Sequence, residues 1–145
     1  MLHLRQLEAD PAGERKDNVI CQKSSKHSPQ ELEQSLRDAA QRHKFGVLHV
    51  LDLKNTLHDK GIDLDNEVRI YDVCNPLAAS QSLRQDLVTA TVLPCRIAVY
   101  SHAGGSTIAT VKPTDLFGAT GLGHADTLVQ DVERELLAII DEAAA

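Results

Sequence analysis

Two of the three cysteines stand at positions where a thiol could carry chemistry. Cys74 directly precedes Asn75 and Pro76, a pair that predicts the start of a helix. The partial positive charge of a helix N-terminus lowers the pKa of a neighbouring thiol. Cys95 begins a predicted strand and is followed by Arg96. If these strand ends meet, the two cysteines could exchange thiol and disulfide or carry a sulfane sulfur, with Asn75 and Arg96 polarising the site.

A purely structural role for the same cysteines is the simpler interpretation. Unpaired cysteine is among the most buried residue types, and it fills small apolar gaps. The third cysteine, Cys21, makes the set odd, and no CxxC pair occurs. The sequence therefore predicts free thiols in a reducing compartment and not a disulfide scaffold.

The seven histidines do not form a recognisable metal motif. No two of them lie four residues apart, and HExxH is absent. His49 alternates with Val47 and Leu51, which favours a histidine that faces the core. We retain His49 as a candidate ligand-binding residue, and we predict no metal and no cofactor.

Other catalytic patterns find little support. Gly118, Gly121 and Gly123 precede a predicted helix, but their spacing is neither the Walker nor the dinucleotide pattern. Asp126 would also place a negative charge where a phosphate should lie. The GxSxG motif of serine hydrolases is absent. A flexible loop is the better interpretation of these glycines.

Composition narrows the class of protein. The chain has 145 residues, of which 42% are hydrophobic and 25% charged, as expected for one globular domain. Its net charge of −6 argues against nucleic acid as a partner, because phosphates require a basic surface. No apolar run is long enough to span a membrane, and the N-terminus lacks the apolar core of a signal peptide. We therefore expect a soluble cytoplasmic protein that binds neither nucleic acid nor membrane.

Three helices have recognisable start signals. Ser28, Pro29 and Glu31 predict a capping box, and apolar residues follow at helical spacing. A short helix is predicted over residues 77–87, and a final helix from about Asp126. Residues 1–17 are polar and charged and are predicted to form a flexible arm, so that a single domain spans residues 18–145.

Strands are predicted at residues 19–23, 46–53 and 68–73, and a hairpin at residues 96–112. The hairpin turns at a Gly-Gly pair, and if these glycines are the two turn residues, Val99 faces Thr110. Both faces of the hairpin are partly apolar, so something must cover each side. The order of elements predicts an α+β fold in two layers, with a mainly antiparallel sheet and helices on one face.

Several modest motifs occur in an order that resembles a known family. They are the run GVLHVLDL from Gly46, the Asp59-Lys-Gly triplet, Cys74-Asn75-Pro76, the run LPCRIAVY from Leu93, the Gly-Gly hairpin and Pro113. This series resembles an uncharacterised bacterial and archaeal family, domain of unknown function family 302, over roughly residues 19–140.

The resemblance implies a strand–helix–four-strand–helix fold like that of the TATA-box-binding protein, often as a homodimer. It implies no established activity, and the fold alone does not imply DNA binding. Family members commonly have a small residue in place of Cys74 and an aliphatic residue in place of Cys95. That departure argues against a cysteine-based mechanism for the whole family.

Two classes of function remain. The first is a non-catalytic homodimer that binds a small ligand or serves as an accessory protein. Its candidate ligand-binding residues are Cys74, Asn75, Cys95, Arg96 and His49. The alternative is a thiol-based sulfur carrier or redox enzyme that uses Cys74 and Cys95.

Overall fold

The computed structural model describes residues 2–4, 18–122 and 126–145. Its elements are, in chain order, β1 (Leu2–Leu4), β2 (Ile20–Ser25), α1 (Pro29–Arg42), β3 (Gly46–Asp52), α2 (Leu53–Asp59), β4 (Ile62–Leu64), β5 (Val68–Cys74), α3 (Pro76–Gln85), a 3₁₀ helix (Leu87–Val92), β6 (Cys95–His102), β7 (Gly105–Val111), α4 (Pro113–Ala119) and α5 (Thr127–Ala144). None of the described helices is long and apolar enough to cross a lipid bilayer.

Five strands form one sheet in the order β2-β7-β6-β5-β3. Every neighbouring pair in this sheet is antiparallel. Helices α1 and α5 pack side by side and contact strands of the sheet. Strands β1 and β4 pair in parallel as a separate two-stranded ribbon. The predicted class is confirmed: the protein is α+β, with a mainly antiparallel sheet and a strand–helix–four-strand–helix order once the short elements are set aside.

The core lies between the five-stranded sheet and the two long helices. Alternate residues of each strand point toward the helices, because successive side chains of a strand face opposite sides. The largest fully buried aliphatic and aromatic side chains are Leu32, Leu36, Tyr71, Val73, Ile97, Val99, Ile108, Leu136, Ile139 and Ile140. Burial of one such side chain contributes about 1.5–3 kcal/mol, so this layer supplies most of the apolar stabilisation of the fold.

The start of α1 confirms the predicted capping box. The Ser28 hydroxyl accepts a hydrogen bond from the backbone N–H of Glu31 at 3.2 Å, and the Glu31 carboxylate accepts one from the backbone N–H of Ser28 at 3.2 Å. Pro29 occupies the first helical turn, where a missing N–H costs nothing. These local signals fix where the helix begins.

The end of α1 contains a backbone conformation that favours glycine. Phe45 donates its N–H to the carbonyl of Ala40, and Lys44 donates to that of Gln41, as in a Schellman motif. Lys44 takes the left-handed position of this motif with φ +63°. A side chain with a β-carbon is strained there.

We expect Lys44→Gly to stabilise the protein by about 0.5–1 kcal/mol, because glycine adopts a positive φ without steric cost. The measurement is the midpoint of urea denaturation at an unchanged slope. Lys60→Gly is the matched control, since Lys60 ends α2 with φ −98° and gains nothing from glycine. Equal losses of stability in both variants would show that the conformation of Lys44 is not strained.

His43 joins the end of α1 to α5. Its Nδ1 contacts the carboxylate of Glu135 and its Nε2 contacts that of Glu142. Arg42 also donates to Glu142, at 3.0 Å. Hydrogen bonds to Glu142 and Glu135 raise the pKa of His43, and the bonds from His43 and Arg42 lower the pKa of Glu142. Both ring nitrogens donate only when the imidazole is protonated.

The His43 contacts predict that part of the stability is lost at alkaline pH. A raised pKa means that the contribution of His43 is complete below its unfolded pKa of about 6.5 and disappears as pH rises through the folded pKa. We expect His43→Gln to remove this part of the pH dependence, as measured by urea denaturation across neutral pH. An unaltered slope in His43→Gln would refute the assignment.

The hairpin of β6 and β7 forms at the predicted place with a different register. His102 pairs with Gly105 and Val99 pairs with Ile108, so that Ala103 and Gly104 are the turn residues. The predicted pairing of Val99 with Thr110 is therefore wrong by two residues. A shift of two leaves each side chain on its predicted face, because the side-chain period of a strand is two.

Four short elements were not predicted from sequence: β1, β4, the 3₁₀ helix and α4. Residues 53–60 before Gly61 have the pattern of a helical turn, and α2 forms there. Strands of three residues carry no usable alternation. Helix α4 lacks a capping side chain at Lys112, so that only Pro113 marks its start. Within the predicted flexible arm, residues 2–4 form β1, and the remaining positions lie outside the described residues.

Candidate functional site

Cys74 and Cys95 line one cavity at an end of the sheet. Their strands are neighbours, with Val73 paired directly to Cys95, so Cys74 at the end of β5 lies beside the start of β6. The empty space between its walls is about 420 Å³, a figure that includes open solvent at its mouth. Its walls come from β5, β6, α3, α4 and α5. The lining residues are Phe45, Val73, Cys74, Asn75, Ala78, Ala79, Ser82, Leu93, Pro94, Cys95, Pro113, Phe117, Leu128, Val129 and Val132.

Asn75 shapes this cavity by starting helix α3. Its side-chain oxygen accepts the backbone N–H of Ala78 at 3.0 Å, and Pro76 occupies the first turn of the helix. The chain therefore turns from β5 into α3 directly after Cys74. That turn places Ala78, Ala79 and Ser82 along one wall. The amide oxygen of Asn75 is committed to the helix cap.

The thiols of this cavity are held in their protonated form. Burial raises the pKa of Cys95 to about 11, and the neighbouring Cys74 thiol adds to the rise. Burial also raises the pKa of Cys74, at the N-terminus of α3, and that of Cys21 on β2. Desolvation disfavours the charged form of a thiol, and it is the cause of the raised pKa of Cys74. At neutral pH the side chains of Cys74 and Cys95 therefore line the cavity as polarisable, uncharged thiols.

Arg96 lies one residue beyond Cys95 and faces the other side of the sheet. It pairs with Asp72 across the strands, and its Nε lies 3.5 Å from the Asp72 carboxylate. Its side chain is 74% exposed. The backbone carbonyl of Arg96 accepts a hydrogen bond from the Thr110 hydroxyl at 2.6 Å, which holds this part of β6 against β7.

His49 lies on β3 away from the cysteines. A β-bulge between Val47 and His49 shifts the strand by one residue, so the simple alternation with Val47 fails. The side chain of His49 is 63% exposed and its Nδ1 lies 3.8 Å from Asp72. The structure thus brings Cys74, Asn75 and Cys95 together around one cavity and leaves His49 outside its lining.

The apolar wall opposite the cysteines could not be assigned from sequence. Pro113 and Phe117 come from α4, and Leu128, Val129 and Val132 come from the first turns of α5. The sequence signal that was present is the run of apolar residues after Pro113, which has the spacing of a short amphipathic helix. Across the described parts of the chain, no group of three His, Cys, Asp or Glu residues is arranged to hold a metal ion.

An open five-stranded antiparallel sheet, two covering helices and an apolar cavity at one end define the class of protein. The chain belongs to the family described as domain of unknown function DUF302, whose family model matches residues 21–143. It is similar to the crystal structure of an uncharacterized conserved protein DUF302 from Bacillus stearothermophilus, with 28% sequence identity, a TM-score of 0.82, and coverage of 88% of this chain and 99% of that chain. No curated protein matches this chain. The family predicted from the motifs is confirmed.

Proposed function

We propose that this protein is a non-catalytic, homodimeric binding or accessory protein that holds a small, largely apolar ligand in the cavity beside Cys74 and Cys95. The observation that carries the proposal is the chemistry of the lining. Among the described residues that line the cavity, the polar side chains apart from the thiols are Asn75 and Ser82, and none is charged. A concave, mostly apolar site with few polar groups is the usual form of a small-molecule site.

The thiol chemistry of the alternative hypothesis finds no support in this geometry. A nucleophilic or sulfur-carrying cysteine needs a thiolate, and both pKa values are raised by burial. Asn75 is engaged in capping α3, and Arg96 pairs with Asp72. Binding is therefore the better interpretation of the same residues.

The homodimer is supported by the composition of the second face of the sheet. By alternation, the face opposite α1 and α5 carries Ile70 of β5, Ala98 and Tyr100 of β6, and Ala109 and Val111 of β7. Val111 is 41% exposed. This face is partly apolar, since Asp72 and Arg96 also lie on it. A second copy would cover its apolar part. Native mass spectrometry tests this part, and a monomer at micromolar concentration would contradict it.

The three free cysteines support a cytoplasmic location.

Ligand binding is tested with 1-octanol, an uncharged probe with an apolar chain. We expect saturable binding by isothermal titration calorimetry. Ala79→Leu adds apolar volume inside the cavity and is expected to weaken the binding about tenfold, equivalent to about 1.4 kcal/mol. Ala79 is only half-buried, so the variant should still fold.

The matched control is Ala119→Leu, an exposed position at the end of α4 that does not line the cavity. It should bind octanol like the parent protein. Absence of octanol binding, or equal weakening in both variants, would refute a ligand site at this place.

A further inference from the structure

Ser82 is a buried polar residue in the wall of the cavity beside Cys74 and Cys95. It lies on α3 and is 8% exposed. Ser82 follows Asn75 by about two turns of the helix, so the two residues lie on the same helix face, and both line the cavity. The wall that α3 contributes is therefore polar at these two places.

The Ser82 hydroxyl has no hydrogen-bond partner in the described part of the chain. A serine inside a helix often turns its hydroxyl back to a carbonyl of the preceding turn. Ser80 does so, since its hydroxyl donates to the carbonyl of Leu77 at 2.8 Å. Among the described residues, Ser82 forms a hydrogen bond only through its backbone. Its hydroxyl is therefore available to another molecule.

The oxygen of this hydroxyl is within reach of the cavity. The described side-chain oxygens that are both fully enclosed and without a partner belong to Glu67, Tyr71 and Asp72. The Ser82 oxygen is not one of them, so it keeps some accessible surface. Because Ser82 lines the cavity, a molecule bound there can contact that oxygen.

The lining favours a ligand group that is uncharged. None of the described lining residues carries a charge, and burial of an ion without a counter-charge is very costly. A buried polar side chain without a protein partner usually bonds to a ligand or to water. The group that meets Ser82 is therefore expected to be polar and neutral.

The polar groups that remain available in the lining can act as donors. The amide oxygen of Asn75 accepts from Ala78, whereas its amide nitrogen donates to no described residue. A serine hydroxyl can donate as well. Two available donors in an apolar wall favour a ligand with an oxygen acceptor.

We infer that the ligand is an uncharged carbonyl compound whose oxygen accepts a hydrogen bond from the Ser82 hydroxyl. Ser82 is then the residue that determines the specificity of the cavity. This inference rests on the proposed function, because it assumes that the cavity binds a ligand. The apolar walls supply affinity, and the hydroxyl distinguishes a carbonyl compound from a hydrocarbon of the same shape.

The test compares acetophenone with α-methylstyrene, in which a methylene group replaces the carbonyl oxygen. Dissociation constants are measured by NMR titration of the backbone amide signals of the full chain. We expect both compounds to bind and to shift the signals of residues that line the cavity. Ser82→Ala should weaken the binding of acetophenone about tenfold, the usual effect of one hydrogen bond, and leave that of α-methylstyrene unchanged. Each compound is compared between two proteins, so its own hydration cancels.

Ser80→Ala is the matched control, since it removes a hydroxyl from the same helix at a position that does not line the cavity. It should change neither dissociation constant. The midpoint of urea denaturation provides a second measurement. Ser82→Ala should keep the midpoint of the parent protein, because no hydrogen bond between described residues is lost.

The inference and the proposed function fail in different ways. The assignment of Ser82 is wrong, and the apolar site stands, if Ser82→Ala weakens both compounds equally or neither. A lowered urea midpoint in Ser82→Ala, or binding of α-methylstyrene without acetophenone, would overturn it too. If neither compound binds, the apolar site is wrong, and the inference is overturned with it.

Discussion

Gly105→Ala is expected to destabilise the protein by about 3 kcal/mol or more, the sum of backbone strain and a backbone clash. Gly105 has φ +151°, a conformation that residues with a β-carbon rarely adopt. A β-carbon at this position would lie 2.0 Å from the carbonyl oxygen of Ser25 and 3.0 Å from Cα of Lys26. Neither atom belongs to a flexible side chain, so the strand itself would have to move.

The cost is large because the end of that strand is fixed by two contacts to Ser106 of β7. Ser25 pairs with Ser106 at the end of β2, and the Ser106 hydroxyl donates to the carbonyl of His27 at 2.8 Å. Relief of the clash would break this junction, where the backbone leads from β2 toward α1.

Gly104→Ala is the matched control for the adjacent position. Gly104 has φ +89°, but within the described part of the chain no atom lies within 4 Å of the place that a β-carbon would take. Only the conformational cost of about 1 kcal/mol is therefore expected. Urea denaturation of the two variants gives the comparison. Equal losses of unfolding free energy at positions 104 and 105 would show that the close approach of the Ser25 carbonyl adds nothing to the destabilisation.

Alkylation of Cys95 by iodoacetamide at neutral pH is expected to be about 100-fold slower in the folded protein than in the unfolded chain. A pKa of about 11 leaves roughly one hundredth of the thiolate present at the ordinary value of 9.0, and only the thiolate reacts. Limited access to the buried sulfur slows the reaction further. Cys74 should also react more slowly than in the unfolded chain, because burial raises its pKa.

The rates are measured at each cysteine by mass spectrometry of peptides after timed labelling. The same chain in denaturant supplies the reference rate for each site. Labelling of folded Cys74 faster than in the unfolded chain would reverse the interpretation, since it would require a stabilised thiolate. The sulfur-carrier or redox hypothesis would then displace the binding proposal.

The parts of the fold that the sequence predicted well are those set by local interactions. The Ser28 capping box, the Asn75-Pro76 start of α3 and the Asp126 cap of α5 are each decided within four residues. Such signals need no knowledge of the rest of the chain. The order of elements then sufficed for the α+β class.

The errors arose where a distant segment or a single extra residue decides the outcome. The hairpin register depends on Gly105, which the backbone of Ser25 requires to be glycine, and that neighbour is eighty positions away along the chain. The exposure of His49 depends on one bulged residue in β3. The bulge moves each later side chain of the strand to the face opposite the one that simple alternation predicts. Neither feature leaves a pattern in the local sequence.

The candidate site was partly predictable for the same reason. Cys74 and Cys95 occupy the end of one strand and the start of the next, and antiparallel neighbours bring such positions together. The opposite wall is formed by Phe117 and Val129, which reach the cavity only through the packing of α4 on α5. Packing of one helix on another is set by the whole fold, so the apolar character of the cavity was not visible in advance.

The partnership of α1 and α5 has a consequence for the newly made chain. Leu32 and Leu36 of α1 are covered by Leu136, Ile139 and Ile140, which are translated about a hundred residues later. At ordinary elongation speeds this delay is roughly 5–20 s. During that time the apolar face of α1 stays exposed, because the helix that will bury it has not yet been translated. Chaperone occupancy of the nascent polypeptide should therefore persist until α5 has emerged from the exit tunnel.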